Sequence, residues 1–300
     1  MRGTKRGLKR GHKIGYTMTS TVRPFGLAGA GAEAVLEAGD VLLLRESFFA
    51  VEVAERRLLT PSILDGSSKN VSFDPSTGRM GGTSATGEAA ELLRGMLARY
   101  SRETEAFVRR ACPTYADRLR LGRTSFRPAE IAGRESSWRK DDTRLHVDSF
   151  PATPVQGRRI LRIFANVNPQ GKPRAWRVGE DFEGLATRFA PALRTPLPGA
   201  SAVLHALRLT KTRRSPYDAL MLQLHDRMKE DTAYQSSAPQ MPFDFPAESA
   251  WIAFTDQVSH AAMSGQHKLE QTFLLPVDAM VDEQRSPLRI LERLKRRRLV

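Results

Sequence analysis

The chain has 300 residues, 40% of them hydrophobic, with 47 Lys+Arg against 33 Asp+Glu and a formal net charge of +14. That apolar content can bury the core of one large domain or two modest ones, and no run is long and apolar enough to span a bilayer. Cys112 is the only cysteine, which excludes an internal disulfide and a thiolate metal cluster and suits a reducing cytosol.

The charge sits at the ends. Residues 1–20, "MRGTKRGLKRGHKIGYTMTS", hold six Lys/Arg and no acid, and residues 285–300 hold seven Lys/Arg and one Glu. Each end therefore carries +6, leaving about +2 for everything between. With no apolar run behind it, the N-terminal stretch does not read as a secretory signal. The expected organisation is a basic tail over 1–20, a single catalytic domain over 21–284 and a basic amphipathic helix over 285–300.

In chain order, "GLAGAGAEAVLEAG" reads as a small-residue helix, followed by an apolar run, "DVLLLRESFFAVEVAERRLL", that suits either a strand or a helix. Residues 65–85 are rich in Ser, Gly, Asp and Pro and read as a long connection. Residues 87–120 keep apolar positions three and four apart, as a helix does. The region 21–120 is thus expected to be mostly helical. From about 121 to 276 the segments are short, β-branched or aromatic and bounded by Gly, Pro, Asp and Asn. We read them as an antiparallel jelly-roll core, giving an α+β protein. One helix interrupts it at "SPYDALMLQLHDRMKED", where Ser215 can cap, Pro216 fits the first turn and Asp218 completes a near capping box. The last helix, "SPLRILERLKRRRLV", combines an apolar stripe with a basic face. It fits an anionic membrane surface or a docked terminal helix. No aromatic residue interrupts its basic run to stack on a base, which disfavours nucleic acid.

The chemistry is expected at "TRLHVDSFPATP". Side chains at i and i+2 of a strand share a face, so His146 and Asp148 converge. An imidazole and a carboxylate need a second imidazole to complete the facial triad that leaves positions open on Fe(II). His205 has no partner in sight, and His225 and Asp226 are adjacent on a helix, where neighbours diverge. His260 and His267 remain; His260, following the strand-like "WIAFTD", is the expected distal ligand.

A 2-oxo acid co-substrate also needs a cation for its far carboxylate. Ten and eleven residues beyond His260 stand Glu270 and Gln271, neither of them cationic. In "RRILRIFANVN", Arg162 lies between apolar neighbours, and a buried arginine must meet an anion. It is the expected clamp, with Gln271 and Thr272 adding hydrogen bonds and Lys268 as the alternative; the other reading pairs Arg162 with an internal acid. Upstream, Arg123, Arg127, Arg134, Arg139 and Lys140 are interleaved with hydroxyl residues. Of these, Arg127, Arg139 and Lys140 are the expected contacts to an acidic, polyhydroxylated substrate.

The stretches "RTSFRP", "RKDDTRLHVDSFPATPVQGRRILRIFANVNP", "RAWRVGE", "YDALMLQLHD" and "WIAFTDQVSHAAMSGQHKLEQTFLL" resemble, in order and nearly ungapped, the Kdo hydroxylases. These are bacterial Fe(II)- and 2-oxoglutarate-dependent dioxygenases acting on 3-deoxy-D-manno-oct-2-ulosonic acid (Kdo) in the lipopolysaccharide inner core. The resemblance covers about residues 123–275. It implies a double-stranded β-helix and hydroxylation of Kdo at C3 with O2, releasing succinate and CO2. The family's HVD motif falls on His146 and Asp148, and its distal ligand, in "QVSHA", on His260. The implied partner is a Kdo-containing lipid A precursor, and the implied location is the cytoplasmic face of the inner membrane, where an anionic surface would meet the basic ends. The competing classes are a metal-dependent isomerase or hydrolase on the same core, and a non-enzymatic binder of anionic lipid.

Overall fold

The computed structural model describes residues 20–133, 136–197 and 199–300. The elements run β1 (Val22–Pro24), α1 (Glu33–Glu37), β2 (Val41–Leu44), β3 (Val71–Phe73), β4 (Met80–Gly81), α2 (Gly87–Ala111), β5 (Arg120–Arg127), β6 (Arg159–Asn166), β7 (Arg174–Gly179) and α3 (Phe182–Phe189). They continue with α4 (Ala200–Ala206), α5 (Pro216–Glu230), α6 (Thr232–Ser237), β8 (Gln240–Phe245), β9 (Ala250–Phe254), β10 (His260–Ala262), β11 (Lys268–Leu275) and α7 (Pro287–Lys295). The fold is mixed α/β, with a large sheet in the order β1-β2-β9-β6-β11-β5-β3-β4 and a smaller one in the order β10-β7-β8. Neighbours are antiparallel except β1 and β2. This arrangement is consistent with a jelly roll.

Strand alternation explains the layering. On β6, Leu161, Ile163 and Ala165 point to one face and join Phe126, Ile252, Leu269 and Phe273 of the neighbouring strands. The stripe of α2, including Leu93, Leu97, Tyr100 and Phe107, packs in the same core, and the Tyr100 hydroxyl donates to the Ile163 carbonyl (3.2 Å). Each such fully buried side chain contributes roughly 1.5–3 kcal/mol. On the opposite face, Phe164 and Trp251 stack (5.1 Å between centroids), and Trp176 and Phe245 of the smaller sheet pack on them at 5.2 and 4.1 Å. These four rings pin the sheets together and fill one end of the space between them, leaving the other end to polar side chains.

One expectation is corrected, and one open choice is decided. Residues 21–120 are not mostly helical: α2 forms where periodicity placed it, but the region also supplies β1 to β4 to the large sheet. Three of these strands are too short to show alternation, and β2, "VLLL", is buried along its whole length and so carries no period. The C-terminal helix is docked. Leu288, Ile290 and Leu291 of α7, and Leu299 beyond it, are at most 4% exposed within the main core, so the apolar stripe is not available to a membrane. Ser286 caps α7 by accepting the Arg289 amide, as the Ser-Pro signature suggested. The basic tail lies outside the described residues except for Ser20, and so does Arg134.

Candidate metal centre

His146 and His260 face each other in an isolated antiparallel bridge. The His146 amide donates to the His260 carbonyl (3.0 Å) and the His260 amide to that of His146 (2.9 Å), so their side chains leave the same face. Two residues on, the Asp148 amide donates to the Thr255 carbonyl (2.8 Å), which brings Asp148 to the same side. His146, Asp148 and His260 each offer a ligand atom, and these atoms lie within 4.8 Å of one another.

The tautomers follow from the backbone. Nδ1 of His146 is 2.7 Å from the Arg144 carbonyl and Nδ1 of His260 is 2.9 Å from the Val258 carbonyl. A carbonyl only accepts, so each Nδ1 carries the proton and each Nε2 presents a lone pair. Burial lowers both imidazole pKa values, that of His146 well below its usual range, and keeps the rings neutral. Burial alone would raise the Asp148 carboxyl, but Arg162, His260 and His146 outweigh it and hold it below the usual carboxylate range. Arg162 Nη1 stands 2.8 Å from Asp148 Oδ2, while Oδ1 is 4.0 Å from His146 Nε2. Two neutral imidazoles and one ionised oxygen, with second-sphere partners in place, make a donor set that fits a divalent iron.

Beyond the three lies a row of alternating charge. Arg162 also reaches Glu270 (3.5 Å), and Glu270 pairs closely with Lys268. Glu270, raised by burial but lowered more by Arg162 and Lys268, is held at about 2, and burial pushes Lys268 down to about 7. Opposite, Trp176 stacks on His260 (5.0 Å). Two residues before it on β7, Arg174 is 1% exposed, has an Nε without a hydrogen-bond partner and donates from Nη1 only to the Gly265 carbonyl (3.1 Å). Among the described residues no carboxylate lies within 4 Å of it. Burial, reinforced by nearby Arg127, lowers it to about 9. Gly265, at φ +119°, allows this approach, since a Cβ there would sit 3.0 Å from Arg174 Cγ.

The model of the 3-deoxy-D-manno-oct-2-ulosonic acid (Kdo) hydroxylase family matches residues 28–298. The chain belongs to the Kdo hydroxylase family. Solved structures of the Kdo hydroxylase KdoO, described as a non-heme Fe(II) alphaketoglutarate dependent dioxygenase, are 44% identical to the chain over 93% of its length and 97% of theirs. They include complexes with alphaketoglutarate and Fe(III) (TM-score 0.89), with cobalt(II) (0.90) and with succinate and Fe(III) (0.89). The comparison with curated proteins gives no match.

Against this family frame, the residues expected from the sequence divide. His146, Asp148 and His260 are brought together. Arg162 is there too, 2.8 Å from Asp148 and 3.5 Å from Glu270. Gln271 is a correction: β11 alternates, and Gln271 sits on the opposite face from Thr272, hydrogen-bonded to Thr124 Oγ1 (2.6 Å) and the Gly122 carbonyl. Thr272 faces inward across from Arg162. Arg127 and Lys140 line one cleft of about 380 Å³ with Lys69, Ser136, Ser137 and Thr143. Arg127 is held there by Asp142 (2.8 Å) and Asn70 (2.7 Å). Arg139 lies outside that lining, over the Trp138 ring and 3.3 Å from Asp226. Two neighbours stood outside the set expected from the sequence. Arg174 was readable, since alternation in "RAWRVG" puts it on one face with Trp176 and Val178. His225 was not: only the packing of α5 sets its ring edge-on to that of His146, at 5.4 Å.

The neutral imidazoles give a pH signature. Between their depressed folded-state pKa values and the ordinary value near 6.5, the unfolded chain binds protons that the folded chain refuses, so stability rises with pH there. The metal-free chain is therefore expected to lose stability as pH falls through 6.5, by up to about 1.4 kcal/mol per imidazole per pH unit. Melting curves at successive pH values, compared with a His146→Asn/His260→Asn variant, measure it; an equal acid sensitivity in the variant contradicts the assignment.

Proposed function

We propose that the chain is an Fe(II)- and 2-oxoglutarate-dependent dioxygenase that hydroxylates Kdo at C3, with the two sheets as the walls of a double-stranded β-helix. The observation that carries this reading is the convergence of His146, Asp148 and His260, both imidazoles neutral with Nε2 exposed to one point. These three would hold the iron. Bound there, iron couples oxidative decarboxylation of 2-oxoglutarate by O2 to hydroxylation of a substrate C–H bond, releasing succinate and CO2.

The chain's own residues do the positioning. Arg162, on Oδ2 of Asp148, leaves Oδ1 for the metal and fixes the carboxylate's orientation. Its charge is already matched by two acids, and although its Nε, like that of Arg174, is buried without a hydrogen-bond partner, it stands second as an anchor for the co-substrate. Arg174 is a better one: a buried guanidinium with an unpartnered Nε and a depressed pKa gains by meeting a carboxylate. The Ser125 hydroxyl is likewise buried and unpartnered; its residue lies opposite Glu270 on the inward face, and it can donate to the same group. Trp176 and Phe164 give the site an apolar wall that keeps water from it. The cleft carrying Arg127, Lys140 and the hydroxyls of Ser136 and Ser137 is lined as well by Glu130, Asp141 and Asp142, a mixed set of donors and acceptors that suits a polyhydroxylated sugar. The lipid A precursor is the expected carrier of that sugar.

Metal titration tests the ligand set. Wild type is expected to bind one Fe(II) or Co(II) per chain, His260→Ala to lose it and His225→Ala to keep it. Loss in His225→Ala with retention in His260→Ala transfers the distal role to α5.

A further inference from the structure

Among the described residues, eight large hydrophobic side chains are exposed, and four of them fall within thirteen positions: Leu197 (81%), Val203 (58%), Leu207 (64%) and Leu209 (60%). Val203 and Leu207 are four apart on and just past α4, so they share a face. The same segment exposes Arg194, Arg208, Lys211 and Arg213. From Gly184 to Tyr217 the sequence holds six Lys/Arg and no acid. Apolar teeth set among exposed basic charge, on a chain whose residues 21–284 sum to about −4 without this stretch, match an anionic bilayer: the apolar side chains enter the headgroup boundary and the cations meet lipid phosphates.

The segment is tied to the metal centre. The Lys211 amide donates to the Ala152 carbonyl (2.9 Å) and Arg214 Nη2 to the Pro151 carbonyl (2.7 Å), both in the loop directly after Asp148. Its C-terminal end runs through the Ser215 cap into α5, which carries His225 to the His146 ring. A bilayer seated on this segment therefore lies at the rim of the site. The C-terminal helix cannot serve in its place, because its apolar residues are buried in the core.

We propose that residues 194–197 and 199–214 are the surface by which the enzyme docks on an anionic lipid bilayer, presenting the metal site to a membrane-anchored sugar. The delivery half of this rests on the Kdo hydroxylase reading; the docking half does not. Hence the test uses vesicles that contain no Kdo. The full-length chain is co-sedimented with phosphatidylglycerol–phosphatidylethanolamine vesicles and with phosphatidylcholine vesicles. Wild type is expected to partition onto the anionic vesicles and to be released by high salt. A Val203→Ser/Leu207→Ser/Leu209→Ser variant should lose at least about tenfold in partitioning, and Arg208→Glu/Lys211→Glu should lose as much. Both variants should melt as wild type does and keep turnover on water-soluble Kdo while losing it on bilayer-embedded substrate. Equal vesicle binding by wild type and variants overturns the proposal, as does no binding by wild type. A wild-type dimer in sedimentation that the serine variant dissolves also overturns it, by assigning the patch to a second copy. If the chain binds vesicles but turns over no Kdo, the docking surface stands and the Kdo reading fails.

Discussion

Asp148→Ala is expected to remove turnover of 2-oxoglutarate and to destabilise the fold at the same time. Losing an outer-sphere partner of a metal typically costs about 10–100-fold in affinity or activity, and a direct ligand should cost more. The stability effect has a separate origin. Arg162 is buried, its Nη1 stands 2.8 Å from Asp148, and the other acid within 4 Å among the described residues, Glu270, is 3.5 Å away and shared with Lys268. Removing one partner of a buried pair costs about 3–5 kcal/mol, and Glu270 should hold the loss near the lower figure. The two effects separate in Asp148→Ala/Arg162→Met, where the unpaired cation is gone: stability should return, metal binding and turnover should not. If the double variant regains turnover, Asp148 is a structural partner of Arg162 and the ligand set is wrong.

Arg174→Ala is expected to raise the KM for 2-oxoglutarate by more than tenfold while metal affinity and kcat at saturation stay close to wild type. Truncating one side of a buried charge-assisted pair costs about 2–5 kcal/mol. That charge has no carboxylate within 4 Å among the described residues, so the energy is available to a ligand. Arg162→Ala should behave differently, weakening metal binding by freeing Asp148 and changing the KM for 2-oxoglutarate only secondarily. A rise of less than threefold in Arg174→Ala returns the anchor to Lys268 or Arg162. Steady-state kinetics across 2-oxoglutarate concentrations, with metal content measured on the same preparations, decide between them.

What was legible in the sequence follows the range of each physical rule. His146 and Asp148 could be paired because the two-residue repeat of an extended chain is local, even though the structure gives His146 a single bridge and no full strand. His260 could be chosen because the strand before it was plain, yet only the fold sets it opposite His146. Gln271 failed by the rule that succeeded for His146: consecutive residues on β11 cannot face one site together. Arg162 was rightly expected to meet an anion, but which anion depended on Asp148 and Glu270, distant in sequence or on another strand. β1, β3 and β4 were missed because two or three residues carry no period, and the α7 stripe left membrane and core both open because amphipathicity shows that a face is buried, not what buries it.

The central claim is tested most directly by incubating the chain with Fe(II), 2-oxoglutarate and a water-soluble Kdo substrate under isotopically labelled dioxygen, and analysing the products by mass spectrometry. The account predicts one labelled oxygen atom in the sugar, at C3, with succinate formed in equal amount and neither product in His260→Ala. Turnover of the sugar without dioxygen or 2-oxoglutarate, or succinate with no labelled sugar, contradicts it.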